Sequence, residues 1–230
     1  MVLEYVDIVL VPAGMAILLA YHAHLAYRVR YFPATTVIGV NQINRRVWVH
    51  SMVADGLKNG VLAVQTLRNN IMASTLLGTA AIMLCSVLAV LVNSSENLEQ
   101  PTVFLTSNRS VNTSIKLLCV LMCFIVAFLC SVQSVRYYNH VSFLISISTG
   151  GGAHGSTAEY ASEALARGGQ FWSVGLRAFY ISIPLFVWLF GPVPMFVCSV
   201  LMVTLLHPLD TAKDFKHTLT VSSNQNFEAR

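Results

Sequence analysis

Between Ile71 and Val92 the chain runs for twenty-two residues without a charged side chain. At about 1.5 Å per residue, a helix of that length crosses a hydrocarbon core of roughly 30 Å, where every backbone group must find its hydrogen bond within the segment itself. The stretch points to a membrane protein. A basic amphipathic segment beginning at Gly56 leads into it without a breaker, and the rest of the chain reads as its partners. Composition agrees: 55% of the 230 residues are hydrophobic and 10% charged, with mean hydropathy +0.65, against about a quarter charged residues in soluble domains. The fourteen Lys and Arg and ten Asp and Glu collect between the apolar runs.

Three further apolar runs suit spans. The first, residues 5–27, holds Pro12 and Gly14 and is followed by Arg28 and Arg30. Its start, MVLEYVD, is acidic where a cleavable signal is basic, so an uncleaved helix with its N-terminus outside is expected, Asp7 either simply reaching water at the outer edge or forming an acidic pore mouth. His22 and His24 point about 200° apart on a helix, poor geometry for one metal ion and ordinary for interfacial residues. Residues 28–70 carry six basic side chains against the single acid Asp55, which makes the loop cytoplasmic. Ile43, Val47, Leu57, Val61 and Val64 recur in it at helical spacing, as in an amphipathic helix lying in the interface before the second span. Such a helix either meets anionic lipid or docks on the inner ends of the spans.

Within the second span, residues 71–92, Ser74, Gly78, Ala81, Cys85 and Ala89 follow at steps of four, three, four and four. Small side chains on one face let helix backbones approach closely in lipid, so this face is a packing seam, expected to pack within one chain. Residues 93–114 form a polar outer loop with three glycosylation sequons, at Asn93, Asn108 and Asn112. The third span covers 115–135. The inner loop 136–175 contains the linker TGGGAHGST and then Ser156 with Glu159, the spacing of a capping box that starts a short helix. The last apolar run, 176–206, is too long for one upright span and too short for two; Pro184, Gly191, Pro192 and Pro194 suggest one tilted, kinked helix. A re-entrant course would instead place the tail, 207–230, on the cytoplasmic side. The expected fold is a single all-α membrane domain of four transmembrane helices with a cytoplasmic amphipathic helix, both ends outside.

Chemistry-bearing patterns are scarce. The five cysteines (Cys85, Cys119, Cys123, Cys130, Cys198) fall in apolar runs, where a thiol packs as a small hydrophobe. Cys119 and Cys123 share a helix face but lack the further ligands zinc requires. The glycine run precedes no Lys-Ser/Thr, and neither a zinc-protease nor a hydrolase motif occurs. The reading is therefore no enzyme, no cofactor, no metal and no nucleic-acid partner. What stands out is a polar cluster at the inner ends of three spans: Arg68, Asn69 and Asn70 before the second, Arg136 and Asn139 after the third, and Arg177 at the fourth. Arginines converging on one mouth would attract anions or gate a pore; alternatively they snorkel to headgroups. Channel-like or transport-related activity is expected, with any path on the axis of a homo-oligomer. The competing reading is a non-catalytic scaffold or regulatory subunit whose basic loop binds membrane lipid or a protein partner. No retention or lipidation signal separates plasma membrane from endomembrane.

Several stretches carry a resemblance: AVQTLRNNIMASTLLGTAAI at Ala63 to Ile82, QSVRYYNHVSFLI at Gln133 to Ile145, AEYASEALARG at Ala158 to Gly168, GLRAFYISIPLFVWLFGPVPMFVCSVLMV at Gly175 to Val203, and the pair Tyr21 and His22. With these the chain resembles the plant branch of domain-of-unknown-function family 599, small multi-pass membrane proteins. The resemblance implies the helical membrane fold and a plant origin, and no catalytic residue.

Overall fold

A computed structural model describes residues 2–97, 109–148 and 154–212. They form six α-helices: α1 (Val2–Tyr31), α2 (Val37–Ala54), α3 (Gly56–Asn97), α4 (Arg109–Ser148), α5 (His154–Val187) and α6 (Pro192–Asp210), with short 3-10 turns at Pro33–Thr35 and Trp188–Phe190. Among the described residues there is no sheet; Thr36 and Thr211 make one isolated antiparallel bridge. Five helices are long and apolar enough to cross a membrane: Ile8–Tyr31, Lys58–Leu91, Thr113–Ser146, Thr157–Phe190 and Pro192–Asp210. The chain is an all-α protein with the helices of an integral membrane protein.

The fifth such helix comes from the last apolar run, where one kinked span was expected. The run is broken into α5 and α6 at Gly191, whose φ of 141° is open to glycine and strained for other residues. Pro192 then takes the first position of α6, where its missing N–H costs nothing. Pro12, Pro184 and Pro208 instead lie inside helices. The chain folds back, so that Ala212 N–H donates to Thr35 O (3.1 Å) beside the end of α1.

The long helices outrun a bilayer. α3 has 42 residues and α4 has 40, about 63 and 60 Å, roughly twice the hydrocarbon thickness. α4 packs along both α3 and α5, α1 lies on α6, and α2 lies on α5. Two separate cores result. One contains Ala81, Leu88, Val120, Phe124, Ala127 and Met195. The other lies along the opposite halves of the same helices with α2: Val49, Leu67, Tyr138, Val141, Ile145 and Leu165.

The small-residue seam of α3 faces α4. Ser74 and Ala81 are fully buried, the Ser74 and Ser134 hydroxyls lie 3.2 Å apart, and a Cβ on Gly78 would meet Ser131 Cβ at 3.2 Å. Ala89 is exposed and Leu88 is buried in its place, because fifteen residues at about 100° each carry Ala89 some 60° off the line of Ser74. On α5, Gly168 lies against Tyr137 and Tyr138, and its carbonyl accepts from the Ser134 hydroxyl (3.0 Å).

The apolar stripe read across residues 43–64 divides differently. α2 begins at Thr36, whose hydroxyl accepts from Gly39 N–H (3.2 Å), and ends at Asp55, so the stripe belongs to two helices with unrelated faces. Buried are Val40, Val49 and Val53 of α2 and Ala63 and Leu67 of α3, whereas Val47 and Val61 are 61% and 84% exposed. The short helix expected from Ser156 is the start of α5, which continues through Gly168 and Gly169 to Val187. The sequon at Asn108, the glycines of the linker at 150–152, the side chains of Asp7, Asn112 and Ser156 and the tail beyond Ala212 lie outside the described residues. Asn93 is exposed at the end of α3.

Candidate functional site

The charged centre of the molecule forms where α6 ends. The apolar run closes with Leu206 and leads through His207, Pro208 and Leu209 to Asp210, which α6 turns inward. Arg177 of α5 meets it with both terminal nitrogens: Nη2 to Oδ1 at 2.6 Å and Nη1 to Oδ2 at 3.2 Å. The Tyr21 hydroxyl of α1 donates to Oδ2 at 2.6 Å. The side chains of Arg177 and Asp210 are only 17% and 12% exposed. A two-pronged, charge-assisted contact is the strong form of this interaction, and here it ties together three helices. Next to Tyr21, the His22 Nδ1 lies 2.8 Å from Leu18 O, while its Nε2 is buried without a hydrogen-bond partner.

Beside this centre a groove of about 330 Å³ opens between α2, α5 and α6. Ile38, Gln42 and Arg45 line it from α2, at the three- and four-residue steps that share a helix face. Trp172 and Leu176 line it from α5, and Leu206 and Leu209 from α6. The Arg45 guanidinium occupies the space over Gly169 that a Cβ there would fill. The Gln42 amide nitrogen is buried without a partner.

The six residues of the expected inner cluster make separate contacts. Arg177 pairs with Asp210. Arg68 lines a different groove, of about 490 Å³, with Gly56, Gly60, Val64 and Ile145 between α3 and α4. Asn69, Arg136 and Asn139 are exposed, and the carbonyl of the half-buried Asn70 accepts from the Ser74 hydroxyl (2.9 Å). No described hydrogen bond or ion pair joins any two of the six. Further along, α2 and α5 meet through exposed ion pairs, Arg46 and His50 reaching Glu159 at 3.7 and 3.4 Å, and within α5 Arg167 reaches Glu163 at 2.8 Å. Among the described residues no group of three or more His, Cys, Asp or Glu could hold a metal ion, and the five cysteines are free.

The sequence reading missed Asp210, Gln42 and Arg45 as site residues. An acid immediately beyond an apolar run, with an arginine at the start of the same run, was the available signal for Asp210; nothing in the sequence pairs Arg45 with Gly169.

Residues 9–215, most of the chain, match the family described as "Protein of unknown function, DUF599". No curated protein and no solved structure matches the chain at a significant level.

Proposed function

We propose, for a chain that belongs to the DUF599 family, a non-catalytic, multi-pass membrane protein whose cytoplasmic helical extension is a docking platform for a protein partner. In this reading α1, α3, α4, α5 and α6 cross the bilayer in alternation, with the N-terminus outside and the C-terminal end of α6 inside. The platform consists of α2 and the adjoining halves of α3, α4 and α5.

One observation carries the reading: helices twice as long as a bilayer is thick have a second core, around Val49, Leu67, Tyr138 and Ile145, beyond the apolar bundle. Charge supports the orientation. Arg28, Arg30, Arg45, Arg46, Lys58, Arg68, Arg136, Arg167 and Arg177 belong to the proposed inner side, against Arg109 and Lys116 on the outer. At the outer turn Lys116 lies over the Trp188 ring, 5.0 Å from its centroid, a pairing suited to the membrane–water boundary. The 19 residues of α6, about 28 Å, then span the hydrocarbon from that turn to Asp210. The outward faces of the spans are apolar, with Leu76, Met83, Val87 and Val90 on α3 and Leu118, Met122, Leu129 and Val132 on α4. Such faces suit lipid and favour the platform over a pore on an oligomer axis. The resemblance to plant sequences fits a plant origin.

A photo-reactive amino acid replacing exposed Tyr160 on α5 tests the platform. The expected result in native membranes is a discrete protein adduct, absent when the same group replaces Leu201 on the lipid-facing side of α6. Steady, selective current from the purified protein in planar bilayers, with only diffuse labelling at position 160, would overturn the platform in favour of the channel reading.

A further inference from the structure

We infer that the groove between α2, α5 and α6 is a binding site for the phosphate of an anionic phospholipid. The inference goes beyond the docking platform and uses only its placement in the membrane: the end of α6 lies at the inner boundary of the hydrocarbon.

Two donor groups in the groove are unspent. Arg177 is neutralised by Asp210, but Arg45, one face of α2 away, adds a guanidinium for which the described residues supply no carboxylate. It is seated over Gly169, so its head is held at the groove and not extended into solvent. Gln42, three residues before it, buries an amide nitrogen with no acceptor. A buried donor without an acceptor costs free energy, and an anionic oxygen between Gln42 and Arg45 would satisfy both. Arg is suited to this work, since its planar fork matches two phosphate oxygens at once.

The rest of the groove selects a lipid over a soluble anion. Leu206 forms its buried floor, and Leu209, 67% exposed, continues the apolar surface outward along α6. Trp172 and Tyr180 line the wall with amphipathic rings of the kind that collect at headgroup depth. A phosphate held by Arg45 and Gln42 would thus have its acyl chains running along α6 toward the bilayer centre, whereas a free phosphate would leave the apolar half of the groove wet. Occupation would join α2 to the spans, since the donors come from α2 and the apolar surface from α5 and α6.

The test uses the full chain in neutral detergent and follows its melting temperature while dioleoyl phosphatidic acid, dioleoyl phosphatidylcholine or inorganic phosphate is titrated. A ligand that binds the folded state raises the transition in proportion to its saturation. Phosphatidic acid is expected to stabilise saturably and phosphatidylcholine not. Loss of one charged hydrogen-bonding partner corresponds to about tenfold or more in apparent Kd, expected for Arg45→Ala and for Arg45→Gln, which keeps more of the stem. Arg46→Ala removes the same charge one position along and should leave the affinity within about twofold, because an exposed charge contributes little. Gly169→Ala puts a methyl where the guanidinium rests, leaves the net charge unchanged, and should weaken binding several-fold. Equal affinity in Arg45→Ala and the parent, or equal losses from Arg45→Ala and Arg46→Ala, would overturn the site. Arg45-dependent stabilisation by inorganic phosphate as strong as by phosphatidic acid would overturn the lipid. None of these readings depends on a protein partner, so the site and the platform fail separately.

Discussion

The two halves of α3 and α4 differ in how they meet each other and in whether charge appears on their outward faces. Around Ser74, Gly78 and Ala81 the helices meet through small side chains, and the outward positions Leu76, Met83 and Val87 are apolar and exposed. Around Leu67, Val141 and Ile145 they meet through an ordinary aliphatic core with Tyr138 inside, and the outward positions include Arg68, Arg136 and Asn139. In the proposed placement both the inward packing and the outward charge change where the helices leave the bilayer. In lipid there is no hydrophobic force between helices, so close contact through small residues carries the association; in water, burial of Leu, Val and Ile carries it. In the proposed placement the Tyr21, Arg177 and Asp210 centre lies where the two regimes meet.

If that centre fastens the boundary, breaking it has the largest effect. Asp210→Ala leaves the Arg177 guanidinium largely buried without its carboxylate and is expected to cost about 3 to 5 kcal/mol, read as a fall in melting temperature in detergent. Replacing both partners, Arg177→Met with Asp210→Leu, should recover most of that loss; no recovery would show that the pair does more than neutralise itself.

The next comparison sets one glycine from each half against the other. A methyl on Gly168 would crowd the ring of Tyr138 at 3.0 Å and Tyr137 Cβ at 3.1 Å, both in the inner half, and should cost about 1 to 3 kcal/mol. Gly78→Ala has only Ser131 Cβ at 3.2 Å within close range, so its melting temperature should fall less. The reverse order would mean that the lipid-side seam, and not the inner core, is the tighter of the two.

Smaller still is the hydroxyl pair on the seam. Ser74→Ala removes one side of the 3.2 Å contact with Ser134 and should cost about 0.6 kcal/mol, the usual worth of a hydrogen bond between helices in a bilayer. At the far end of the inner half, Glu159→Gln disconnects exposed Arg46 and His50 and should leave the melting temperature unchanged in the same assay.

How far this was legible in sequence follows the same division. The uncharged run to Val92, the seam from Ser74 to Cys85 and the basic character of residues 28–70 can be read directly, because length, side-chain size and charge are local properties. The end of the last span could not be: prolines occur inside α1, α5 and α6 as well as at the break, and what separates a kink from a reversal is the positive φ of Gly191. The stripe through Val47 and Val61 misled because a helix boundary at Asp55 resets the face, and fully buried Ala63 is too small to register as apolar pattern. Inner-side charge was counted without partners, and Asp210, which claims Arg177, lay in what read as tail. The groove of Arg45 and Gln42 needs three helices to exist and has no sequence signature.

The account rests on single helices passing from lipid into water, and paired spin labels test that directly. In a cysteine-free background reconstituted in nanodiscs, labels at Val61 and Phe143 on the inner halves and at Val87 and Leu118 on the bundle would be compared for collision with oxygen, which concentrates in lipid, and with a polar nickel chelate. All four positions are exposed and apolar, so only the surrounding solvent distinguishes them. Nickel-dominated collisions at Val61 and Phe143 with oxygen-dominated collisions at Val87 and Leu118 are the expected result. Oxygen-dominated collisions at all four would contradict the account, since the second core would then lie in the bilayer with the first.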